Sequence, residues 1–187
     1  SGLTLSAWVR TDTIASGPAQ IMVKGDGQSN TSDFGIGRQD GKFQYFWRSQ
    51  QNPNVWNNAR TSQAVFTPGQ WIHVLATHVS GSGPVLYVNG AQQVADFTGS
   101  PSYDPTKPRH FYGQALRIGV NERAEGHEKH FDGKLDDIRI YNRALSTAEV
   151  DQLYQLERPY QLKSSPDFLW ARQSSGTGTS GESIWDA

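Results

Sequence analysis

The stretch from residue 133 to residue 146 limits the fold of this chain more than any other part of it. It reads Gly-Lys-Leu-Asp-Asp-Ile-Arg-Ile-Tyr-Asn-Arg-Ala-Leu-Ser, with a strand-like pattern first and a polar turn after it. Ser146 and Glu149 then have the spacing of a capping box, in which each side chain bonds the backbone N–H of the other residue. Because Pro159 disfavours a helical residue before it, we predict a strand, a turn and one helix at about residues 147–156.

Alternation of apolar and polar residues with a period of two indicates further strands. One strand shows it clearly, with Phe43, Tyr45 and Trp47 on one side and Gln44, Phe46 and Arg48 on the other. Asn89-Gly90 is a hairpin signal, because both residues tolerate a positive φ. The segments with a strand pattern are 3–10, 43–48, 71–79, 85–88, 115–120 and 135–141. Together with the strand that a hairpin at Asn89-Gly90 implies after the turn, they predict an all-β chain with at least seven strands, arranged as a sandwich of two antiparallel sheets.

Four stretches carry a family resemblance, and they follow one another in that family's order. They are Leu3-Thr4-Leu5-Ser6-Ala7-Trp8-Val9-Arg10, Gln70-Trp71-Ile72-His73-Val74-Leu75-Ala76-Thr77, Leu86-Tyr87-Val88-Asn89-Gly90 and the stretch 133–146. Residues 1–157 resemble laminin G-like, concanavalin A-like jelly-roll domains, in which a short helix follows the final strand and packs against the sandwich. The resemblance is specific for the fold. It is weak for the ligand, because this family keeps its framework and varies its loops.

The resemblance also suggests how the chain is divided. Domains of this family usually begin with one or two strands before the segment 3–10, so we expect residues 1–157 to be a jelly roll that lacks them. Residues 158–187 are expected to be a linker and a partial β-repeat or flexible tail. Within them, Phe168-Leu169-Trp170-Ala171-Arg172-Gln173 and the Gly-rich turn after it resemble the opening strand of a bacterial β-propeller-type repeat. We therefore expect a fragment of a larger, multidomain protein.

Composition excludes several classes of function. The formal net charge is -1 and no basic cluster offsets it locally, so no nucleic acid partner is expected. No apolar run reaches the roughly 18 residues of a membrane span, so no membrane insertion is expected. The chain has no cysteine, which excludes disulfides, thiol catalysis and zinc–thiolate sites.

Catalysis is not expected either. Laminarinase-type hydrolases of this fold carry a Glu-x-Asp-x-x-Glu strand motif, which places two carboxylates on one face. The nearest string here is Glu149-Val150-Asp151, but Tyr154 occupies the position of the second glutamate, and the string lies on the predicted helix. A glycan-active enzyme of this fold remains an alternative.

A calcium ion is the expected cofactor, with Asp136 as its ligand. Strict alternation places Asp136 on the same side of its strand as Ile138 and Ile140, where an unpaired carboxylate would be costly. Either backbone N–H groups or a calcium ion at the rim of the sandwich would compensate for that burial, and the resemblance implies a calcium at this rim in many relatives. A second set of oxygen donors lies in the loop 25–33, at Asp26, Asn30 and Asp33.

The candidate sugar site lies around residues 47–58. Sugar sites combine an aromatic face with amide groups that bond hydroxyls, and this region supplies both in Trp47, Asn54, Trp56, Asn57 and Asn58. Trp56 is the expected stacking platform, because it is predicted to lie in a polar loop. The alternative is that Trp47 belongs to the core and the asparagines form turns.

These observations predict a non-catalytic recognition module of a larger extracellular or cell-surface bacterial protein. Its expected partner is a polysaccharide or another glycan, alongside neighbouring domains of the same chain. A structural spacer or a protein-docking domain, with a protein ligand, is the first alternative, and the glycan-active enzyme is the second.

Overall fold

The computed structural model describes residues 2–14, 16–25, 33–48, 56–99, 115–120 and 130–158. In these residues eleven strands precede one helix. The elements are β1 Gly2–Thr11, β2 Pro18–Lys24, β3 Phe34–Gln39, β4 Lys42–Arg48, β5 Trp56–Thr61, β6 Trp71–Val79, β7 Val85–Val88, β8 Ala91–Gln92, β9 Ala95–Gly99, β10 Leu116–Ile118, β11 Gly133–Tyr141 and α1 Thr147–Glu157. The predicted all-β fold with one helix is confirmed, and so are the predicted strands at β4, β6, β7 and β11.

The strands form two antiparallel sheets. The five-stranded sheet has the order β11-β1-β6-β7-β8, and the six-stranded sheet has the order β10-β2-β3-β4-β5-β9. Their facing sides meet in one apolar core. Its buried members include Leu5, Val9, Ile36, Phe43, Tyr45, Trp47, Val74 and Leu86. The predicted two-sheet sandwich is therefore confirmed.

The hairpin between β7 and β8 follows from two residues. Asn89 and Gly90 both have a positive φ, 50° and 78°, and Val88 pairs with Ala91 across the turn. Two consecutive positive φ values produce the turn whose twist matches the flanking strands. Asn89 also accepts, through Oδ1, the backbone N–H of His73 at 2.9 Å, which fixes the turn against β6. This prediction from sequence is confirmed.

A β-bulge in β11 changes the side to which its residues point. Ser6 pairs with Arg139 and Trp8 pairs with Asp136, so two residues of β11 face Ala7 alone. Asp137, one of those two, has a φ of 44°. The extra residue shifts the alternation by one position, and it places Asp136 on the outer side with Trp8. The prediction that Asp136 is buried beside Ile138 is therefore wrong, and its carboxylate is exposed.

The capping box at the start of α1 forms as predicted. Glu149 Oε2 accepts the backbone N–H of Ser146 at 2.8 Å, and Ser146 Oγ accepts the N–H of Glu149 at 3.3 Å. The box satisfies two backbone donors that a helix start would otherwise leave unpaired. Its glutamate also pairs with Arg143, whose Nη2 lies 2.7 Å from Oε1.

The helix packs on the outer face of the five-stranded sheet. Val150 and Leu153 contact a second apolar cluster that contains Leu75, Tyr87 and Tyr141. Leu135, Ile138 and Ile140, the aliphatic residues of β11, do not hold the helix. The first two pack against the core between the sheets, and Ile140 is 43% exposed. All three lie on the core side of β11, whereas the helix packs on the outer side of the sheet.

Residues 1–157 form one compact unit, and residues 158–187 are assigned to another. The predicted linker and partial repeat lie outside the described residues, apart from Arg158. Across the described ranges, no helix has both the length and the apolar character that crossing a membrane requires.

Candidate functional site

The outer face of the six-stranded sheet carries side chains that the core does not use. Phe43, Tyr45 and Trp47 of β4 belong to the core between the sheets. Successive side chains of a strand point to opposite faces, so Gln44 and Phe46 point outward. Residues that pair with one another on neighbouring strands lie on the same face, so the partners of Gln44 and Phe46 also point outward.

Two rows of residues cross this face. In the first row Gly37 pairs with Gln20 and Gln44, Gln44 pairs with Arg60, and Arg60 pairs with Asp96. In the second row Gly35 pairs with Val23 and Phe46, Phe46 pairs with Asn58, and Val23 pairs with Arg117. The centre of the two rows is Gln44, Phe46, Asn58 and Arg60, which we name the β4–β5 patch. It places two amides, an aromatic ring and a guanidinium next to one another on two paired strands.

Two glycines in β3 shape the floor beside the patch. A Cβ at Gly35 would overlap the Phe46 ring, and a Cβ at Gly37 would lie 2.8 Å from Gln20 Oε1. In both cases the added Cβ would lie closer to the neighbouring side chain than van der Waals contact allows. Phe46 and Gln20 can therefore lie over β3 because positions 35 and 37 have no side chains. The Gly-x-Gly spacing keeps both gaps on the outer face.

Burial changes along the face. Gln44 and Phe46 of β4 are buried, whereas Asn58 and Arg60 of β5 are half-buried and Asp96 of β9 is exposed. Gln20 is only 5% exposed, and its Oε1 has no hydrogen-bond partner. The Arg60 Nε is buried and also lacks a hydrogen bond. Buried polar atoms are nearly always paired, so these two atoms require an explanation.

The structure divides the predicted sugar-site residues. Asn58 lies on the outer face, but Asn57 pairs with Trp47 and both are buried on the core side. The Trp47 ring stacks on Tyr45 at 5.3 Å between centroids. Stacking of a sugar on Trp47 is therefore excluded, and the alternative that it belongs to the core is correct.

Trp56 and Asn54 complete the predicted set. Trp56 is the first residue of β5 and pairs with Arg48, so the prediction that it lies in a loop is wrong. Strand alternation places position 56 on the same side of the sheet as positions 58 and 60. Asn54 lies outside the described residues.

The predicted calcium ligand has a local partner. Asp137 donates its backbone N–H to Asp136 Oδ1 at 2.8 Å. In the described ranges no three His, Asp or Glu side chains come together in a way that could hold a metal. Asp33, from the second set of oxygen donors, is buried, and its Oδ2 lies 3.6 Å from Lys24 Nζ; Asp26 and Asn30 fall outside the described ranges. The Asp136 calcium site stays a prediction without the burial on which it was based.

A second polar cluster lies on the outer face of the five-stranded sheet. His73 Nε2 lies 2.7 Å from Ser6 Oγ and 3.8 Å from Glu157 Oε2. Trp8 donates its indole N–H to Glu157 Oε2 at 3.2 Å, and Arg139 Nε lies 2.5 Å from Oε1. These contacts join the end of α1 to three strands.

This cluster does not have the geometry of a catalytic triad. A triad needs the nucleophile and the carboxylate on different nitrogens of the histidine, but Ser6 and Glu157 both approach Nε2 of His73. Burial, together with the positive charge of the nearby Arg139, lowers the pKa of His73 to about 4. Burial raises the pKa of Glu157, an effect that Arg139 opposes. With Ser6 and His73 both fully buried, the cluster serves the packing of α1.

The string that resembles a hydrolase motif serves the helix. Glu149 caps α1 through Ser146. Asp151 accepts a hydrogen bond from Gln155 Nε2 at 3.2 Å, one turn further along. Neither carboxylate lies on a strand, as the motif requires.

Sequence analysis did not identify Gln20, the two glycines or Arg60 as site residues. The Gly35-Ile36-Gly37 string was an available signal, because two glycines at a spacing of two leave one face of a strand without side chains. The outward set of β4 was recognised in the sequence, but only the register shows that β5 places Asn58 and Arg60 beside it.

Comparisons with known proteins agree with this fold. A family described as the concanavalin A-like lectin/glucanases superfamily matches residues 1–151. A curated human protein, adhesion G-protein coupled receptor D1, is 30% identical over 97 residues. That match covers 50% of this chain and 10% of the receptor, so the chain spans about a tenth of that relative.

Several solved structures share the fold. A putative carbohydrate binding protein from Bacteroides ovatus is 20% identical, with 81% of this chain and 40% of that chain covered at a TM-score of 0.58. Domain 4 of AbnA, an extracellular arabinanase from Geobacillus stearothermophilus solved with arabinotriose, is 22% identical, with 82% and 66% covered and the same TM-score. The botulinum neurotoxin serotype D ligand binding domain, solved with N-acetylneuraminic acid, is 12% identical, with 84% and 37% covered at 0.59. At these identities the likeness shows the fold alone.

Proposed function

The chain belongs to the concanavalin A-like lectin/glucanases superfamily, and we propose that it is a non-catalytic module that binds carbohydrate through the outer face of its six-stranded sheet. The observation that carries the proposal is the β4–β5 patch. Cross-strand neighbours have Cβ atoms about 4.5–5.5 Å apart, so Gln44 with Arg60 and Phe46 with Asn58 form a compact square. Amides beside an aromatic ring on rigid strands suit a sugar, whose hydroxyls need partners and whose ring has an apolar side.

The half-buried side of the patch is where a ligand would make contact. Asn58 and Arg60 are accessible there, and position 56 extends the same side of β5. We therefore keep Trp56 as the proposed stacking residue and Asn58 as the proposed amide. Trp47 and Asn57 are not part of the proposal, because both are buried on the core side.

The solved structures support the ligand class by analogy. A putative carbohydrate binding protein, a domain solved with arabinotriose and a domain solved with N-acetylneuraminic acid share this fold. One of them is a domain of an extracellular arabinanase, so we propose an extracellular or cell-surface module within a larger bacterial protein, next to other domains. A protein-docking or spacer role is the alternative.

Titration of the purified chain with a panel of polysaccharides tests the proposal. Trp56→Ala and Asn58→Ala should each weaken binding by about tenfold or more, as at other binding hot spots. Trp71→Ala is the matched control, because Trp71 is partly exposed on the five-stranded sheet. Binding that falls equally in the control variant, or that survives both patch variants, contradicts the site. An absence of binding to every polysaccharide favours the spacer role.

A further inference from the structure

The outer face of the six-stranded sheet carries more positive than negative charge. Among the described strands, its outward positions include four basic residues and one acidic residue: Lys42, Arg48, Arg60 and Arg117 against Asp96. The whole chain has a formal net charge of -1. The outward positions of these described strands therefore have an excess of positive charge that the whole chain does not have.

The one acidic residue at the described outward positions is already engaged. Asp96 Oδ2 lies 3.9 Å from Lys42 Nζ, and Oδ1 accepts the Ser62 hydroxyl at 2.8 Å. Arg117 donates from Nη1 to the backbone carbonyl of Gly25. Arg60, although it pairs with Asp96 in the strand register, does not form an ion pair with it or with any other described residue.

Arg60 is thus a cationic side chain without an anionic partner among the described residues. Its Nε is buried without a hydrogen bond, and the residue as a whole is half-buried at the accessible side of the patch. A guanidinium presents a planar fork of donors that matches a carboxylate or a sulfate with two parallel hydrogen bonds. An anion bound to the Nη1 and Nη2 groups, which are not among the buried atoms without a partner, would balance the charge of Arg60.

We propose that the glycan bound by this face is acidic, and that Arg60 binds its carboxylate or sulfate group. The inference rests on the proposed carbohydrate function and adds the ligand class to it. Asn58 lies two residues from Arg60 on the same side of β5, a distance of about 7 Å at roughly 3.4 Å per residue. That spacing lets one residue bind the anionic group while the other binds a hydroxyl of the same or the next sugar.

Polymers that differ only in charge provide the test. Polygalacturonate is compared with its methyl ester, and dextran sulfate with dextran, by titration calorimetry on the full chain. We expect the acidic member of at least one pair to bind at least about tenfold more tightly than its neutral partner, because hydrogen bonds to charged groups are the stronger ones. The two pairs separate carboxylate from sulfate recognition. We also expect binding to weaken with added salt.

Three variants assign the effect to Arg60. Arg60→Gln should reduce binding of the acidic polymer by about tenfold or more and leave the neutral polymer unchanged. Arg60→Lys should restore part of the affinity, since it keeps the charge and loses the fork. Lys134→Gln removes one positive charge from β11, where the side chain is exposed on the other sheet, and should have little effect.

The outcomes distinguish failure of the acidic-ligand proposal from failure of the carbohydrate-binding proposal. Equal binding of neutral and acidic polymers, lost in Asn58→Ala but not in Arg60→Gln, overturns the acidic ligand and leaves the carbohydrate function standing. Binding of neither polymer of either pair, while neutral polysaccharides of the wider panel bind, has the same meaning. No binding to any polysaccharide overturns both. Matching circular dichroism spectra of all variants show that the comparison is made between folded proteins.

Discussion

The outer face of the five-stranded sheet is covered by α1, whereas the outer face of the six-stranded sheet carries the β4–β5 patch. Under α1 the polar side chains bond to one another, as Trp8 and Arg139 do with Glu157. Both faces keep some buried atoms without hydrogen-bond partners, such as His73 Nδ1 under α1 and Arg60 Nε on the other face. One face is consumed by the packing of the chain on itself. The other face holds Arg60, which forms no ion pair with a described residue, whereas the charges of Glu157 and Arg139 under α1 are paired; this difference is the physical reason to look for a ligand there.

The contrast between the two faces requires that α1 stabilise the face that it covers. Leu75 is fully buried under α1, so Leu75→Ala should lower the free energy of unfolding by about 2–5 kcal/mol through lost burial and a residual cavity. Leu156→Ala on the same helix is the matched control, since Leu156 is 84% exposed, and should change it by less than about 0.5 kcal/mol. Urea denaturation measures both. Equal effects of the two variants would show that α1 is not held in this way.

Acid should weaken the covered face selectively. His73 has a pKa of about 4 in the folded protein against 6.5 for an ordinary histidine. Between these two values the unfolded chain binds more protons, so stability falls as the pH falls from 6.5 to 4. The loss is on the order of 3 kcal/mol from His73. Glu157 offsets part of it, because its pKa is raised in the folded protein and it binds its proton earlier.

Urea denaturation across this pH range measures the effect. His73→Gln should flatten the dependence, and His130→Gln, at an exposed histidine, should leave it as in the wild type. An identical slope in His73→Gln would remove His73 from the explanation.

Gly35 and Gly37 of β3 provide a stability test for the outer face of the six-stranded sheet. Gly37→Ala should lower the free energy of unfolding by about 1–3 kcal/mol, the usual cost of overpacking. The added Cβ would lie 2.6 Å from the backbone carbonyl oxygen of Ala19 and 2.8 Å from Gln20 Oε1. Thermal melting measures it. A variant as stable as the wild type would show that Gln20 does not need this floor.

The smallest effect is expected at Asp136. Because its carboxylate is exposed and bonds only the next backbone N–H, Asp136→Ala should change stability by less than about 0.5 kcal/mol. Melting with calcium and with a chelator tests the predicted metal in the same samples. Calcium should raise the melting temperature of the wild type and not that of the variant. Identical wild-type curves in both conditions contradict the calcium prediction.

The sequence was a reliable guide wherever alternation was regular. It predicted β4, β6 and the helix with its capping box, since each depends on a local pattern. It missed β3, whose two glycines hide the strand pattern. It also placed Asp136 on the wrong face. The extra residue at the bulge exchanges the sides to which Leu135 and Asp136 point, and the alternation of the sequence does not show where a bulge occurs.

The site was harder to predict, because it is built by register. Asn57 and Asn58 are adjacent in the sequence, yet one is buried on the core side and the other faces outward. Only the pairing of β5 with β4 shows which of them lies beside Phe46. Arg60 is a candidate binding residue because it has no ion-pair partner among the described residues. A sequence alone does not show which arginines are paired.

The central claim is that the ligand binds the outer face of the six-stranded sheet. Backbone amide shifts in NMR, followed while trigalacturonate is added to the labelled chain, test it most directly. We expect the perturbed amides to lie in β4 and β5, around Phe46, Asn58 and Arg60, while those of α1 and β11 stay unchanged. Perturbations confined to α1 and the five-stranded sheet would contradict the claim.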